Sequence, residues 1–233
     1  MPMTLRAVSL DLDNTLWDTP PVLVRAEAAL EAWLQINAPR LAATFDSGQF
    51  RALRARLSRE HPARAHDVTW LRTESLRQAA AASGYAASVA EQAFGVFWRE
   101  RNAIELYDEV AASLGRIAAR VPVFALTNGN ACVRQVGIGG YFRGAIDAAA
   151  AGAAKPDRQI FARLIQMAGL APGEILHVGD DAIADVYGAR AAGLRCAWMN
   201  RSGAQWPAEL PRAEHEVADL AALATLVESL TSG

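Results

Sequence analysis

The sequence predicts an open, parallel α/β sheet with an all-helical insertion, and three observations carry that prediction. After about residue 105, short apolar runs rich in β-compatible residues alternate with helical sequence, as parallel strands joined by crossover helices require. One more run of this kind, Leu5 to Leu12, stands alone at the amino end. Between roughly 18 and 104 the apolar residues repeat only at helical spacing.

Leu5 to Leu12 ends among the polar turn-formers Asp11, Asp13, Asn14 and Thr15, which makes it a buried strand with carboxylates at its tip. Pro20 and Pro21 then open a helix whose Val22, Ala26, Ala29, Leu30 and Trp33 share a face. Phe50, Leu53 and Leu57 mark a second helix, and Val68, Leu71, Ser75 and Ala79 a third. Ala90, Ala93, Phe94 and Phe97 mark a fourth, with Gly84 as the break before it. Strands resume at Val121 to Leu126, Glu174 to Val178 and Leu194 to Met199. This divides the chain into an α/β core at 1–17 and 105–233 and a helical domain at 18–104.

A length of 233 residues accommodates a core domain with a smaller inserted one. The formal net charge of −2 leaves no basic footprint for nucleic acid, and no polybasic run suggests a membrane surface. A small-molecule partner fits better, for a chain expected to be a monomer or a weak homodimer. Cys132 and Cys196 are far apart and in no metal-ligand spacing, so they read as reduced thiols. Asp11 and Asp13 interrupt the amino-terminal apolar run before it could serve for export, and no stretch reaches the roughly 20 apolar residues of a membrane span. The expected location is cytoplasmic.

In an open parallel sheet, ligands collect beyond the carboxyl ends of the strands. The residues there are Asp11, Asp13 and Thr15, then Thr127 and Asn128, then Gly179, Asp180, Asp181 and Asp185; Lys155 precedes an intervening helix. So many carboxylates at one edge repel one another unless protons or a cation intervene, and hard oxygen ligands suit magnesium. Lys155 and the Thr127 hydroxyl supply a positive charge and a donor for phosphoryl oxygens, so the cluster outlines a phosphate site. Asp11 and Asp13, two residues apart, can divide the roles of nucleophile and general acid.

The order Asp11-Leu-Asp13-Asn14-Thr15, Thr127-Asn128, Lys155-Pro156 and Gly179-Asp180-Asp181 with Asp185 resembles the four motifs of the haloacid dehalogenase (HAD) superfamily. The resemblance spans nearly the whole chain. It implies a Rossmann-like core, a nucleophilic Asp11, an acid/base Asp13 and phosphate contacts from Thr127, Asn128 and Lys155. It also implies magnesium held by Asp11, Asp180 and the main-chain carbonyl of Asp13, with Asp181 and Asp185 behind them. The insertion looks like the family's type C1 cap. Thr127-Asn-Gly-Asn-Ala131, Gly173 to Asp181 and His66-Asp-Val-Thr69 look like bacterial members that dephosphorylate flavin mononucleotide or 5-amino-6-(5-phosphoribitylamino)uracil. The implied activity is phosphomonoester hydrolysis through an aspartyl-phosphate. A phosphomutase, or a binding module that has lost turnover, would use the same fold.

Each signal also has a plainer explanation. Asp11-x-Asp13-x-Thr15 alone is compatible with turn chemistry. Asp181 and Asp185 each fit three tasks: reaching the metal through water, orienting Lys155, or capping the following helix. His177, inside an apolar strand, reads as a packing histidine. Arg51, Arg54, Arg56 and Arg59 fit an anion-attracting face or a solvated one. Of Trp17, Trp33, Trp70 and Trp98, only Trp17 stands beside the first motif.

Overall fold

The computed structural model describes residues 4–231. The chain runs through β1 (Ala7–Leu10), then helices α1 (Thr19–Asn37), α2 (Pro39–Thr44), α3 (Ser47–Glu60), α4 (Val68–Ala82) and α5 (Ala87–Asn102). It continues with α6 (Val110–Ala118), β2 (Val123–Thr127), β3 (Phe142–Asp147), α7 (Ala148–Ala151), α8 (Arg158–Ala168) and β4 (Ile175–Gly179). The last elements are a π-helical turn (Ala182–Tyr187), α9 (Gly188–Ala191), β5 (Arg195–Met199), β6 (His215–Val217) and α10 (Leu220–Thr231). Two compact units result: Met1–Asp18 with Glu105–Gly233, and Thr19–Ile104.

The first unit is built on a six-stranded, wholly parallel sheet in the order β3-β2-β1-β4-β5-β6. Every residue of β1, β2 and β4 is buried. Burial on both faces is why these strands show as continuous apolar runs rather than alternating ones. Phe124 and Leu126 of β2 pack with Ile160, Phe161 and Leu164 of α8 and with Val186. The edge strands β3 and β6 lie outside the sequence expectation. In β3, Arg143 and Gly144 interrupt the apolar run and only Ile146 is buried, while β6 is three residues long, so neither had a run to recognise.

β1 sits between β2 and β4, in register Ser9 with Phe124 on one side and Ser9 with His177 on the other. That placement brings three distant segments together at one edge: Asp11 just past β1, Thr127 at the end of β2 and Gly179-Asp180 at the end of β4.

The second unit holds the five helices α1–α5. Its core gathers Ala26, Leu30 and Leu34 of α1 with Phe50, Leu76, Ala79, Ala93 and Phe97. The α1 stripe is Thr19, Val22, Ala26, Leu30 and Leu34; the expected Ala29 and Trp33 lie only at its margin. Val68, expected on the α4 stripe, is exposed because it opens the helix, where Asp67 caps the Trp70 N–H at 2.8 Å. α3 begins with a reciprocal box in which Asp46 accepts from the Gln49 N–H at 2.8 Å and the Gln49 side chain accepts from the Asp46 N–H at 2.7 Å. Among the described residues, no helix is long and apolar enough to cross a membrane.

Candidate active site

The loop after β1 turns sharply: Asp11 stays in register through its N–H to the Val178 carbonyl at 2.8 Å, and Asn14 takes a left-handed conformation with φ of 56°. The Asp13 side chain is half-buried, and Oδ1 accepts from the indole N–H of the fully buried Trp17 at 2.9 Å. Trp17 is therefore a partner of Asp13.

Lys155 is buried at the centre of the cluster. Its Nζ donates to Asp11 Oδ1 at 2.6 Å, to Asp185 Oδ1 at 2.6 Å and to the Leu126 carbonyl at 2.9 Å. An ammonium has three protons, and all three are engaged. The Asn128 side-chain amide brackets the Lys155 backbone, accepting from its N–H at 2.7 Å and donating to its carbonyl at 2.9 Å. The Asn128 side chain, expected at the phosphate, is thus bonded to the Lys155 backbone. The buried Thr127 hydroxyl accepts from the Gly129 N–H at 3.0 Å, which leaves its own proton for another acceptor.

Asp181 and Asp185 of the last motif take different partners. Asp181 is exposed and accepts from the Ile183 and Ala184 N–H groups at 2.8 Å each, so it caps the π-helical turn. Asp185 is buried and points inward: Oδ1 meets Lys155 Nζ and lies 3.1 Å from His177 Nε2, while Oδ2 accepts from the Asp181 N–H at 3.0 Å. A Cβ on Gly179 would stand 2.2 Å from the Asp185 carboxyl carbon, so glycine is what lets that carboxylate approach the β4 backbone. His177 packs in the strand as expected, but both ring nitrogens are also engaged, Nδ1 with Ser9 Oγ at 3.1 Å.

The charges are unevenly balanced. Burial opposes the ionised form of Asp185, yet the Lys155 charge and the His177 contact outweigh it and hold the carboxyl below the usual range. Burial likewise opposes the Lys155 charge, and Asp11 and Asp185 outweigh it, keeping the ammonium protonated. One ammonium cannot neutralise two carboxylates, and the surplus falls on Asp11. Burial, opposed by Lys155 and aided by the charges of Asp185 and Asp13, pushes Asp11 up to about 8. Asp180 is pushed up to about 6 by burial and then by Asp185, although an Asn14 hydrogen bond works the other way.

Oxygen atoms of Asp11, Asp180 and Asp185 all lie within 4.8 Å of one another. Two carboxylates that resist ionisation beside a third are a donor set that a hard divalent cation relieves, so the residues fit such an ion. Asp185 accepts hydrogen bonds at both oxygens, from Lys155 and His177 at Oδ1 and from the Asp181 N–H at Oδ2, whereas Lys155 meets Asp11 at Oδ1.

A parallel sheet with acidic groups at the tips of its central strands, joined by a buried lysine from the segment before α8, places the chain in the Rossmann-like α/β class with a polar site at its strand ends. The chain belongs to the haloacid dehalogenase-like hydrolases, a family it matches over residues 5–193. It is 31% identical to the Escherichia coli (strain K12) 5-amino-6-(5-phospho-D-ribitylamino)uracil phosphatase YigB, over 96% of each chain. It is also 30% identical to a Thermus thermophilus phosphoserine phosphatase, covering 84% of this chain and 89% of that one. Among solved structures, a 2-haloacid dehalogenase from Pseudomonas syringae pv. Tomato DC3000 superimposes with a TM-score of 0.91 at 34% identity, over 97% of this chain and 98% of that one. The protein is an enzyme, a phosphatase of this family.

Proposed function

We propose that this phosphatase hydrolyses a small phosphate monoester by a magnesium-dependent route, with 5-amino-6-(5-phosphoribitylamino)uracil or flavin mononucleotide as substrate. The observation that carries the reading is the Lys155 ammonium, held by three acceptors and set 2.6 Å from Asp11 Oδ1. It fixes the direction of the Asp11 carboxylate without consuming it. Asp11 attacks phosphorus; an Asp11 O–P bond forms as the ester O–P bond breaks, and the Asp13 proton passes to the leaving alkoxide. Water then gives a proton to Asp13 and attacks the aspartyl-phosphate, releasing inorganic phosphate and restoring Asp11. The Thr127 hydroxyl donates to a phosphoryl oxygen, and Lys155 adds positive charge beside it. Asp11, Asp180 and the main-chain carbonyl of Asp13 would hold the magnesium, which would supply positive charge against the phosphate oxygens.

The likeness to the uracil-phosphate phosphatase supports the substrate, and the reading of Cys132 and Cys196 as reduced thiols is in keeping with a cytoplasmic setting. In this reading the helical unit carries substrate selectivity. A carbon–halogen reading follows from the dehalogenase likeness. Halide departs without a proton, so that reaction leaves Asp13 without a task, whereas an alkoxide needs one.

The test is a panel of the uracil phosphate, flavin mononucleotide, phosphoserine, sugar phosphates and 2-chloropropionate, scored for released phosphate or halide with and without MgCl₂. Phosphate release that needs MgCl₂ and falls by roughly 10³-fold or more in Asp11→Asn is expected. Halide release without phosphate release, or near-normal turnover in Asp11→Asn, overturns the assignment.

A further inference from the structure

The cluster contains two buried titratable groups that the reaction above does not use, Asp185 and His177. His177 is 1% exposed, on β4, two residues before Gly179. Asp185, 2% exposed and ionised, can only accept hydrogen bonds. The contact between His177 Nε2 and Asp185 Oδ1 at 3.1 Å therefore places the ring proton on Nε2. Burial keeps the ring neutral despite Asp185, so Nδ1 is an acceptor, and the hydroxyl 3.1 Å away on Ser9 donates to it. Ser9 is the register partner of His177 on β1, two residues before Asp11. Phe161 of α8 stands edge-on to the ring, 5.4 Å between centroids and 84° between planes. Cross-strand hydroxyl, carboxylate and aromatic edge together leave the imidazole one orientation.

The consequence lies at the other end of the chain of contacts. Asp185 Oδ1 accepts from both Lys155 Nζ and His177 Nε2, and Oδ2 from the Asp181 N–H. Three donors in three directions fix the plane of that carboxylate. The same Lys155 ammonium reaches Asp11 Oδ1. Without the His177 donor, Asp185 keeps Lys155 on Oδ1 and the Asp181 N–H on Oδ2, and with one of its three donors gone the carboxylate can tilt toward Lys155 and draw the ammonium away from Asp11. Partners that orient the ligating groups of metal sites are typically worth about 10- to 100-fold in affinity or activity, and the same scale is taken for His177.

We propose that His177 is a positioning residue for the reaction at Asp11: its Nε2–H fixes Asp185 so that Lys155 remains shared between Asp185 and Asp11. This rests on the phosphatase reading for its kinetic consequence, and on the hydrogen-bond geometry for the rest. Steady-state hydrolysis of p-nitrophenyl phosphate tests it, with wild type, His177→Ala and His177→Gln assayed well below the melting temperature of the least stable. His177→Ala is expected to lose about 10-fold or more in kcat with KM within about twofold, and His177→Gln, whose amide reaches toward Asp185, to regain most of the loss. A lowered Tm with wild-type kcat, or equal losses in both variants, overturns the proposal. Should His177→Ala not fold, Ser9→Ala decides: a kcat loss without change in KM supports the positioning chain, and unchanged kcat overturns it. If the wild type releases no phosphate from any ester, the phosphatase reading fails and His177 is judged by ring ¹⁵N chemical shifts. An Nε2-protonated ring that responds to Asp185→Asn supports the hydrogen-bond assignment; an Nδ1-protonated or unresponsive ring overturns it.

Discussion

The two units bury cations in opposite ways. In the α/β unit, Lys155 is enclosed with each proton on an oxygen, two of them carboxylate. In the helical unit, Arg54 and Arg72 share one carboxylate, Glu27 Oε1, at 3.7 and 2.8 Å, with side chains 20% and 12% exposed. Arg72 Nη1 has no hydrogen-bond partner among the described residues, and its guanidinium lies 3.5 Å over the Phe97 ring. Burial and then the Arg72 charge push Arg54 down to about 10. One region has more negative charge than its cation can balance, and the other has more positive charge than its carboxylate can. The first imbalance sits where a divalent ion fits; the second is tolerated by packing the guanidinium on an aromatic face. Removing a charge is accordingly costly in the first unit and mild in the second.

The largest expected break of this contrast is Lys155→Met. It leaves Asp11 and Asp185 facing each other in a buried site, and urea unfolding should show a loss of about 3–5 kcal/mol. A loss below about 1 kcal/mol would mean the ion pairs contribute little to the fold. Next in size is the response to metal. Asp11 sits near 8 when folded against 3.8 ordinarily, so the folded state holds a proton that the unfolded state releases, and ion-free stability declines as pH rises from about 4 to 8. Asp180 adds to the decline up to about 6. The stabilisation from Asp185 is present above its ordinary value and is lost only on acidification, so it does not change between pH 6 and 8. Thermal melts in EDTA and in MgCl₂ should therefore differ more at pH 8 than at pH 6, by roughly 3 °C or more, the scale of about 1 kcal/mol in a chain this long. An equal difference at both pH values would remove Asp11 from the ion site.

On the helical side, Glu27→Gln should cost only about 1 kcal/mol, because Glu27 is half-exposed and water can replace part of its contact. Arg54→Met should leave the melting temperature unchanged or raise it, since it relieves the like charge beside Arg72; a large loss would show that Arg54 carries weight of its own. The smallest contrast is between caps: Asp46→Ala at α3 and Asp181→Ala at the π-helical turn should each cost about 1 kcal/mol, measured by thermal melts. If Asp181→Ala instead abolishes activity at unchanged stability, Asp181 does more than cap.

Much of the core was legible because the strands that matter are central ones. β1, β2 and β4 are buried on both faces, and such strands announce themselves as apolar runs. Edge strands β3 and β6 lack that signature, and α2, six residues long, is too short to show a period. Within the site, residue types at strand ends and before one helix were enough to single out a set that includes Asp11, Lys155, Asp180 and Asp185, which the fold brings together. They were not enough to separate Asp181 from Asp185, because both are aspartates within one turn and only the backbone path decides which points inward. Asn128 and Trp17 show the same limit: the sequence placed both near the first motifs, while their partners, the Lys155 backbone and Asp13, depend on side-chain direction.

By itself, the order of apolar runs and acidic turns determined an α/β core, a helical insertion and the chemistry available at the strand tips, since composition and periodicity act locally. Tertiary structure decided the rest. Only the placement of β1 between β2 and β4 brings Asp11 to Lys155 across 144 positions of chain, and only there do three acceptors meet one ammonium. Hydrogen bonds and ion pairs fall off over a few ångströms, so which groups share a proton depends on folded neighbours and not on position along the chain.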